Sequence, residues 1–237
     1  MSNFNQENYE PTSPFKALHI ERLLQIRAFY LNIKDFIDSL DKEIQEKYDE
    51  DTLRIARNQG IEEVFASDFK PFFMSLLFIQ IRTTLDIYFN DILELIFINH
   101  IDILKNSSKQ HSTEEILSFD DMDDLIRYLG MKEIQRFNDN NSKNKIEYLK
   151  KLLNKEQILT EMIISKFIEV SEIRNILVHN EGRINDRFEK LVNNPKYNNK
   201  ISIEINEGIL LEAIESMISL INEIDKEFCN KFKIDIF

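Results

Sequence analysis

The chain is starved of turn residues: 4 glycines and 4 prolines stand in 237 residues. A globular domain averages about 7% Gly and 5% Pro. Sandwiches, barrels and doubly wound sheets need many tight turns, each built on Gly, Asn-Gly or Pro. The sequence excludes them and points to an all-α protein with few, mostly polar connections. Gly60, Gly130, Gly182 and Gly208 are also too far apart to build G-x-G-x-x-G or G-x-x-x-x-G-K-[ST], so neither backbone phosphate cradle can form.

At 43% hydrophobic residues the chain can fill a core. Its single cysteine, Cys229, excludes a disulfide framework and a Cys-based zinc site. His19, His100 and His111 show no metal-ligand spacing and read as surface or boundary residues; no metal or cofactor is expected. The N-terminal MSNFNQENYEP lacks the basic-then-apolar order of a signal peptide. The most apolar stretch, Phe72 to Ile98, is interrupted by Arg82, Asp86, Asp91 and Glu94, too many charges for a membrane span. These features predict a cytoplasmic chain with no membrane partner.

Residues 1–14 read as a disordered lead-in and 15–67 as an N-terminal helical extension of a domain over 68–237. In the extension, Leu23, Ile26, Phe29/Tyr30, Ile33, Phe36/Ile37, Leu40, Ile44 and Tyr48 recur in steps of three and four, one face of a long helix. A shorter helix runs to Gly60. A second long helix, about 70–104, starts at Pro71 behind the cap candidates Ser67 and Asp68. Ser112-x-x-Glu115 and Ser118-x-x-Asp121 are helix-start signatures, Gly130 is a stop, and Asn138 to Asn144 is a loop. Helices follow over 145–153 and 157–180, the latter closed by Gly182. Ile201 to Ile205 alternates like one short strand, and Asn206 caps a last helix over 207–232.

The stretch Ser171-Glu172-Ile173-Arg174-Asn175-Ile176-Leu177-Val178-His179-Asn180-Glu181-Gly182-Arg183 carries the chemistry. At about 100° per residue, Ile163, Phe167, Val170, Leu177 and Val178 fall within roughly 60° of Arg174. That places Arg174 mid-way across the apolar face, where a guanidinium must be paired or face a polar cavity. Asn175 and His179, at i and i+4, share a neighbouring face with Glu172 nearby. Arg82 and Asp86, one turn apart on the central helix, read as structural pairing with each other; Asp86 is alternatively the group that holds Arg174.

R-N-I-L-V-H resembles the signature of the HEPN superfamily (higher eukaryotes and prokaryotes nucleotide-binding domains): an Arg, a polar residue, and a His, with four to six residues between the Arg and the His. Here four intervene, and Asn175 fills the polar slot. The motif ends a long helix, a Gly-containing turn follows, and a final amphipathic helix closes the sequence. LLFIQIRTTLDIYFNDILELI, residues 76–96, resembles the aromatic, acid-containing first core helix of bacterial members. The resemblance covers roughly 68–237; the long N-terminal helix has no counterpart.

The resemblance implies an up-and-down helical bundle that homodimerises and brings two Arg/His motifs into one cleft. It implies a metal-independent endoribonuclease of the toxin or anti-phage kind, with RNA as substrate and a cognate antitoxin or defence-system partner. Arg174 and His179 would be catalytic and Asn175 supporting, with His179 open as acid or base. RNA carries its own nucleophile, the 2′-OH; imidazole moves protons near neutrality and Arg stabilises phosphate charge. The resemblance departs at Glu181, where members silenced by nucleotidylation carry Tyr, so that regulation is not expected. A non-catalytic interaction or nucleotide-binding module is the alternative.

The net charge of −12 is the wrong sign for a general RNA binder. It is unevenly spread. Residues 143–200 hold 12 Lys and Arg against 8 Asp and Glu. Lys150 and Lys151 precede the motif and Arg183 and Arg187 follow it, which makes these four the substrate-binding candidates.

Overall fold

The structure is a computed structural model and describes residues 12–58, 66–105, 112–192 and 194–234. It is an all-α helical bundle. The helices are α1 (Pro14–Lys47), α2 (Glu50–Asn58), α3 (Ala66–Asn99), α4 (Ile101–Lys105), α5 (Thr113–Leu117), α6 (Met122–Asp139), α7 (Ser142–Leu153), α8 (Glu161–His179), α9 (Asp186–Leu191) and α10 (Glu207–Phe232), with a 3₁₀ turn at Pro195–Tyr197. Among the described residues there is no strand. The alternating segment at 201–205 forms only a single antiparallel bridge, Ser202 to Arg183, because no second extended segment runs beside it for longer.

Several boundaries move, each for a local reason. The lead-in expected over 1–14 lies mostly outside the described residues, but Ser13 is buried and Pro14 opens α1. α3 begins at Ala66, ahead of Ser67 and Asp68, and carries Pro71 inside it. Ser112 caps α5 by accepting from Glu115 N, as its spacing predicts. Ser118 does not start the next helix: it is the C-cap of α5, and Asp121 caps α6 by accepting from Asp124 N. Gly130 is not a stop. It sits buried within α6 facing Phe97, where a Cβ would stand at ordinary contact distance, 3.4 Å from Phe97 Cβ. The loop expected over 138–144 shrinks to Asn140 and Asn141, the latter capping α7. α8 starts only after Thr160, whose hydroxyl accepts from Ile163 N. Asn206 caps α10 through Ile209 N.

The fold resolves into two compact units, with α1, α3, α8 and α10 contributing segments to each. The first comprises residues 12–20, 85–167 and 218–234. Phe89 sits at its centre, fully buried, with ring contacts to Phe137 at 5.4 Å and Phe167 at 6.3 Å. Offset and edge-on ring pairs of this kind add about 0.5–1.5 kcal/mol beyond burial. His19, expected near the surface, is fully buried here, with Nε2 2.8 Å from the Asp91 carboxylate. A fully buried imidazole needs such a partner, and a reading of sequence spacing has no access to it.

The second unit comprises the described residues within 21–84 and 168–217. Leu23, Ile26, Tyr30 and Ile37 of α1 are buried in it with Met74, Phe78 and Ile81 of α3 and Ile173 and Ile176 of α8. Phe29 and Phe36, assigned by periodicity to the buried face of α1, are instead 50% and 59% exposed. About one fully buried position per turn suffices here, and Leu23, Ile26, Tyr30 and Ile37 occupy these positions.

Within Lys70–Asn99, α3 contains an 18-residue window of mean hydropathy 1.3, long and apolar enough to cross a membrane by composition. Its Phe78, Ile81, Leu85, Phe89 and Ile92 are fully buried within protein.

Candidate functional site

The motif closes α8 in the second unit. From Phe167 to Ile173 every residue of this helix is buried, including Glu169, Ser171 and Glu172. Beyond Ile173 the helix emerges: Arg174 and Asn175 are half-buried, Val178 is 44% exposed and His179 is exposed. The placing of Arg174 at the middle of a buried stripe is therefore corrected. Apolar periodicity says little about facing once a helix is covered on all sides, and it missed where the cover ends. Arg174 is not enclosed. The side chains of Arg174, Asn175 and His179 have no hydrogen-bond or ion-pair partner among the described residues.

The turn after His179 is held firmly. Asn180 N and Gly182 N both donate to Ile176 O at 2.9 Å, satisfying a carbonyl that the helix end would otherwise leave open. Asn180 Nδ2 donates to Arg183 O at 2.6 Å. Gly182 adopts φ +76°, and a Cβ there would stand 3.1 Å from Ile203 O. Ile184 N to Ile201 O and Ile203 N to Gly182 O, each 2.9 Å, tie the turn to the extended segment before α10.

The remaining candidates divide by unit. Arg183 is exposed, with an ion pair to Glu181 at 3.5 Å. Arg187, on α9, donates to Glu172 Oε1 at 3.1 Å. Arg82 Nε donates to Ser171 Oγ at 3.0 Å, with both residues buried, which ties α3 to α8 one turn before the motif. Asp86 belongs to the first unit, where Lys145 Nζ donates to it at 3.2 Å. Lys150 and Lys151 also belong there; Lys150 pairs with Glu147 at 2.8 Å and Lys151 is exposed. Much of the basic charge around the motif thus already faces carboxylates.

Sequence reasoning placed Glu172 near the motif but missed its burial and its partner. The available signal was an acid two residues before Arg174 in a run that is otherwise buried. Beside α9, Glu169 accepts from Tyr197 Oη and Lys196 Nζ, each at 2.7 Å, an arrangement with no local sequence signature. An open cleft of about 350 Å³ lies next to it, lined by Phe188, Glu189, Asn194, Tyr197, Asn198 and neighbours. Among the described residues no three His, Cys, Asp or Glu side chains converge as a metal site requires.

Compared with known proteins, the chain matches no family model, no curated protein and no solved structure.

Proposed function

We propose that the chain is a metal-independent endoribonuclease of the HEPN type, acting as a homodimer with RNA as substrate, and that it serves as a toxin or anti-phage effector. One observation carries this reading. Arg174, Asn175 and His179 crowd the last turns of one helix in an all-α fold, and none of their side chains has a partner among the described residues.

The chemistry follows from RNA itself. The 2′-oxygen attacks the adjacent phosphorus as its proton passes to a base. The bond from phosphorus to the 5′-oxygen breaks, and that oxygen takes a proton from an acid. A 2′,3′-cyclic phosphate and a 5′-hydroxyl remain. Arg174 would pair with the non-bridging oxygens and stabilise the charge that builds up on them. His179 would transfer a proton, and Asn175, about 40° from it around the helix, would orient the imidazole or the phosphate. Arg174 and His179 diverge by about 140° around α8, so one copy does not aim both at one phosphate. A composite site, with the motif of a second copy facing the first, resolves that divergence and supplies two imidazoles for the two proton transfers.

The self-neutralised charge around the motif favours one rival reading, a non-catalytic interaction module. Expression in a bacterial host separates the two. The ribonuclease arrests growth, and His179→Ala and Arg174→Ala each abolish the arrest at equal protein level. Growth unaffected by the wild-type chain favours the rival.

A further inference from the structure

We infer that Arg187, held by the buried carboxylate of Glu172, forms a subsite for an RNA phosphate flanking the one at His179. The inference rests on the ribonuclease reading and goes beyond it by assigning a positioning residue and a second phosphate contact.

Three observations converge. First, Glu172 is 2% exposed and its partner Arg187 is 57% exposed at the side chain. The carboxylate is sealed inside while the guanidinium it grips opens to solvent. A guanidinium has five donors. One is used at 3.1 Å on Glu172, and the others have no partner among the described residues, so a fixed fork faces outward.

Second, Glu172, Asn175 and His179 run along one flank of α8, Glu172 and His179 only about 20° apart after seven residues. Arg187 crosses from α9 onto that flank, whereas Arg174 lies about 140° away from His179. Within one protomer, Arg187 is thus a cation on the imidazole's side of the helix.

Third, α9 is fixed independently of this ion pair. Asn185 caps it by accepting from Phe188 N at 2.9 Å, and Phe188 is 1% exposed with its ring 5.4 Å from Tyr197. The backbone of Arg187 is set by that anchor, and Glu172 then selects the direction of its side chain.

Glu172 and His179 are separated by about 10 Å along the helix axis. The subsite is accordingly assigned to a neighbouring phosphate, and one oligonucleotide can span the two positions. Arg187 therefore contributes to binding in proportion to how far the strand extends past the cleaved bond. A purely structural ion pair would stabilise the fold without any dependence on strand length.

The test measures binding of 2′-O-methyl oligonucleotides, which lack the nucleophile, at two lengths: two and six nucleotides. The variant is Glu172→Gln/Arg187→Gln, which removes both charges together and leaves no unpaired carboxylate buried. The His179 imidazole resonance reports where the probe sits. Expected is a loss of about tenfold in affinity for the longer probe, the value of one charge-assisted phosphate contact, and less than about twofold for the shorter. Equal losses at both lengths, or none, overturn the subsite and leave the ribonuclease reading standing. Failure of both probes to shift His179 in the wild-type protein overturns the subsite and the reading together.

Discussion

Ser13 and Asp225, 212 positions apart in the chain, are joined twice: the Ser13 amide donates to one carboxylate oxygen at 2.9 Å and its hydroxyl to the other. Asp225 is fully buried and also accepts from Tyr88 Oη at 3.1 Å. The carboxylate meets the first turn of α1 at its positive end, so the charge is balanced by oriented donors rather than by a cation. Asp225→Ala strands the Ser13 and Tyr88 donors and should cost on the order of 3 kcal/mol. Ser13→Ala keeps the amide contact and should cost about 1 kcal/mol. Urea unfolding of both variants checks the order; equal losses would show that the hydroxyl, not the carboxylate, governs this clasp.

Gly182 is the hinge of the turn that ends α8. Its positive φ strains any side chain there, and a Cβ at 3.1 Å from Ile203 O would make the carbonyl give by a few tenths of an ångström. Gly182→Ala should destabilise the fold by about 1–2 kcal/mol, seen as a lower unfolding midpoint. Gly208→Ala is the control: Gly208 has no positive φ, and a Cβ there meets only the Asn206 side chain, at 3.4 Å. An unchanged midpoint in Gly182→Ala would show that the turn relaxes without strain.

Three tyrosines should resist alkali. The Tyr88 phenol is pushed well up by burial, then by the charge and hydrogen bond of Asp225. Burial also raises Tyr148, with the Glu133 charge adding to it. Tyr197 is raised by burial and by its hydrogen bond to Glu169. Folding keeps these phenols neutral. Their contribution to stability is therefore complete below the ordinary tyrosine pKa of about 10 and is lost as pH rises past it, where the unfolded chain ionises and the folded one does not. Phenolate absorbance should show these three appearing together with cooperative unfolding. Smooth titration of all 7 tyrosines in the folded protein would contradict this.

The legible parts of the sequence were those decided locally. α10 runs over the expected 207–232 because Asn206 is a cap followed by a clean 3.6-residue pattern. That Arg174, Asn175 and His179 share the end of one helix was legible because they fall within six consecutive positions of a helical stretch. Gly130 reads locally as a stop, but α6 runs on through it to Asp139, since one glycine is tolerated inside a helix. Ser118 and Asp121 are both competent caps, and local chemistry does not choose between them. The Glu172–Arg187 pair is tertiary: no periodicity brings α9 back onto α8. The exposure of Arg174 depends on where other helices stop covering α8, which hydropathy does not encode.

A composite site also predicts how mixed dimers behave. If each cleft needs both copies of the motif, His179→Ala protomers poison wild-type ones. At equal amounts, statistical pairing leaves about a quarter of the activity of undiluted wild-type enzyme at the same total protein. Activity proportional to the wild-type fraction, about half, would mean that each protomer works alone.

The most direct measurement is RNA cleavage by the purified chain in excess chelator, with the ends of the products identified. The wild-type protein should cut and leave 2′,3′-cyclic phosphate and 5′-hydroxyl ends. His179→Ala and Arg174→Ala should lose at least about a hundredfold in rate while keeping the wild-type unfolding midpoint. No cleavage by the wild-type chain, or full activity in both variants, would contradict the assignment of ribonuclease chemistry to this motif.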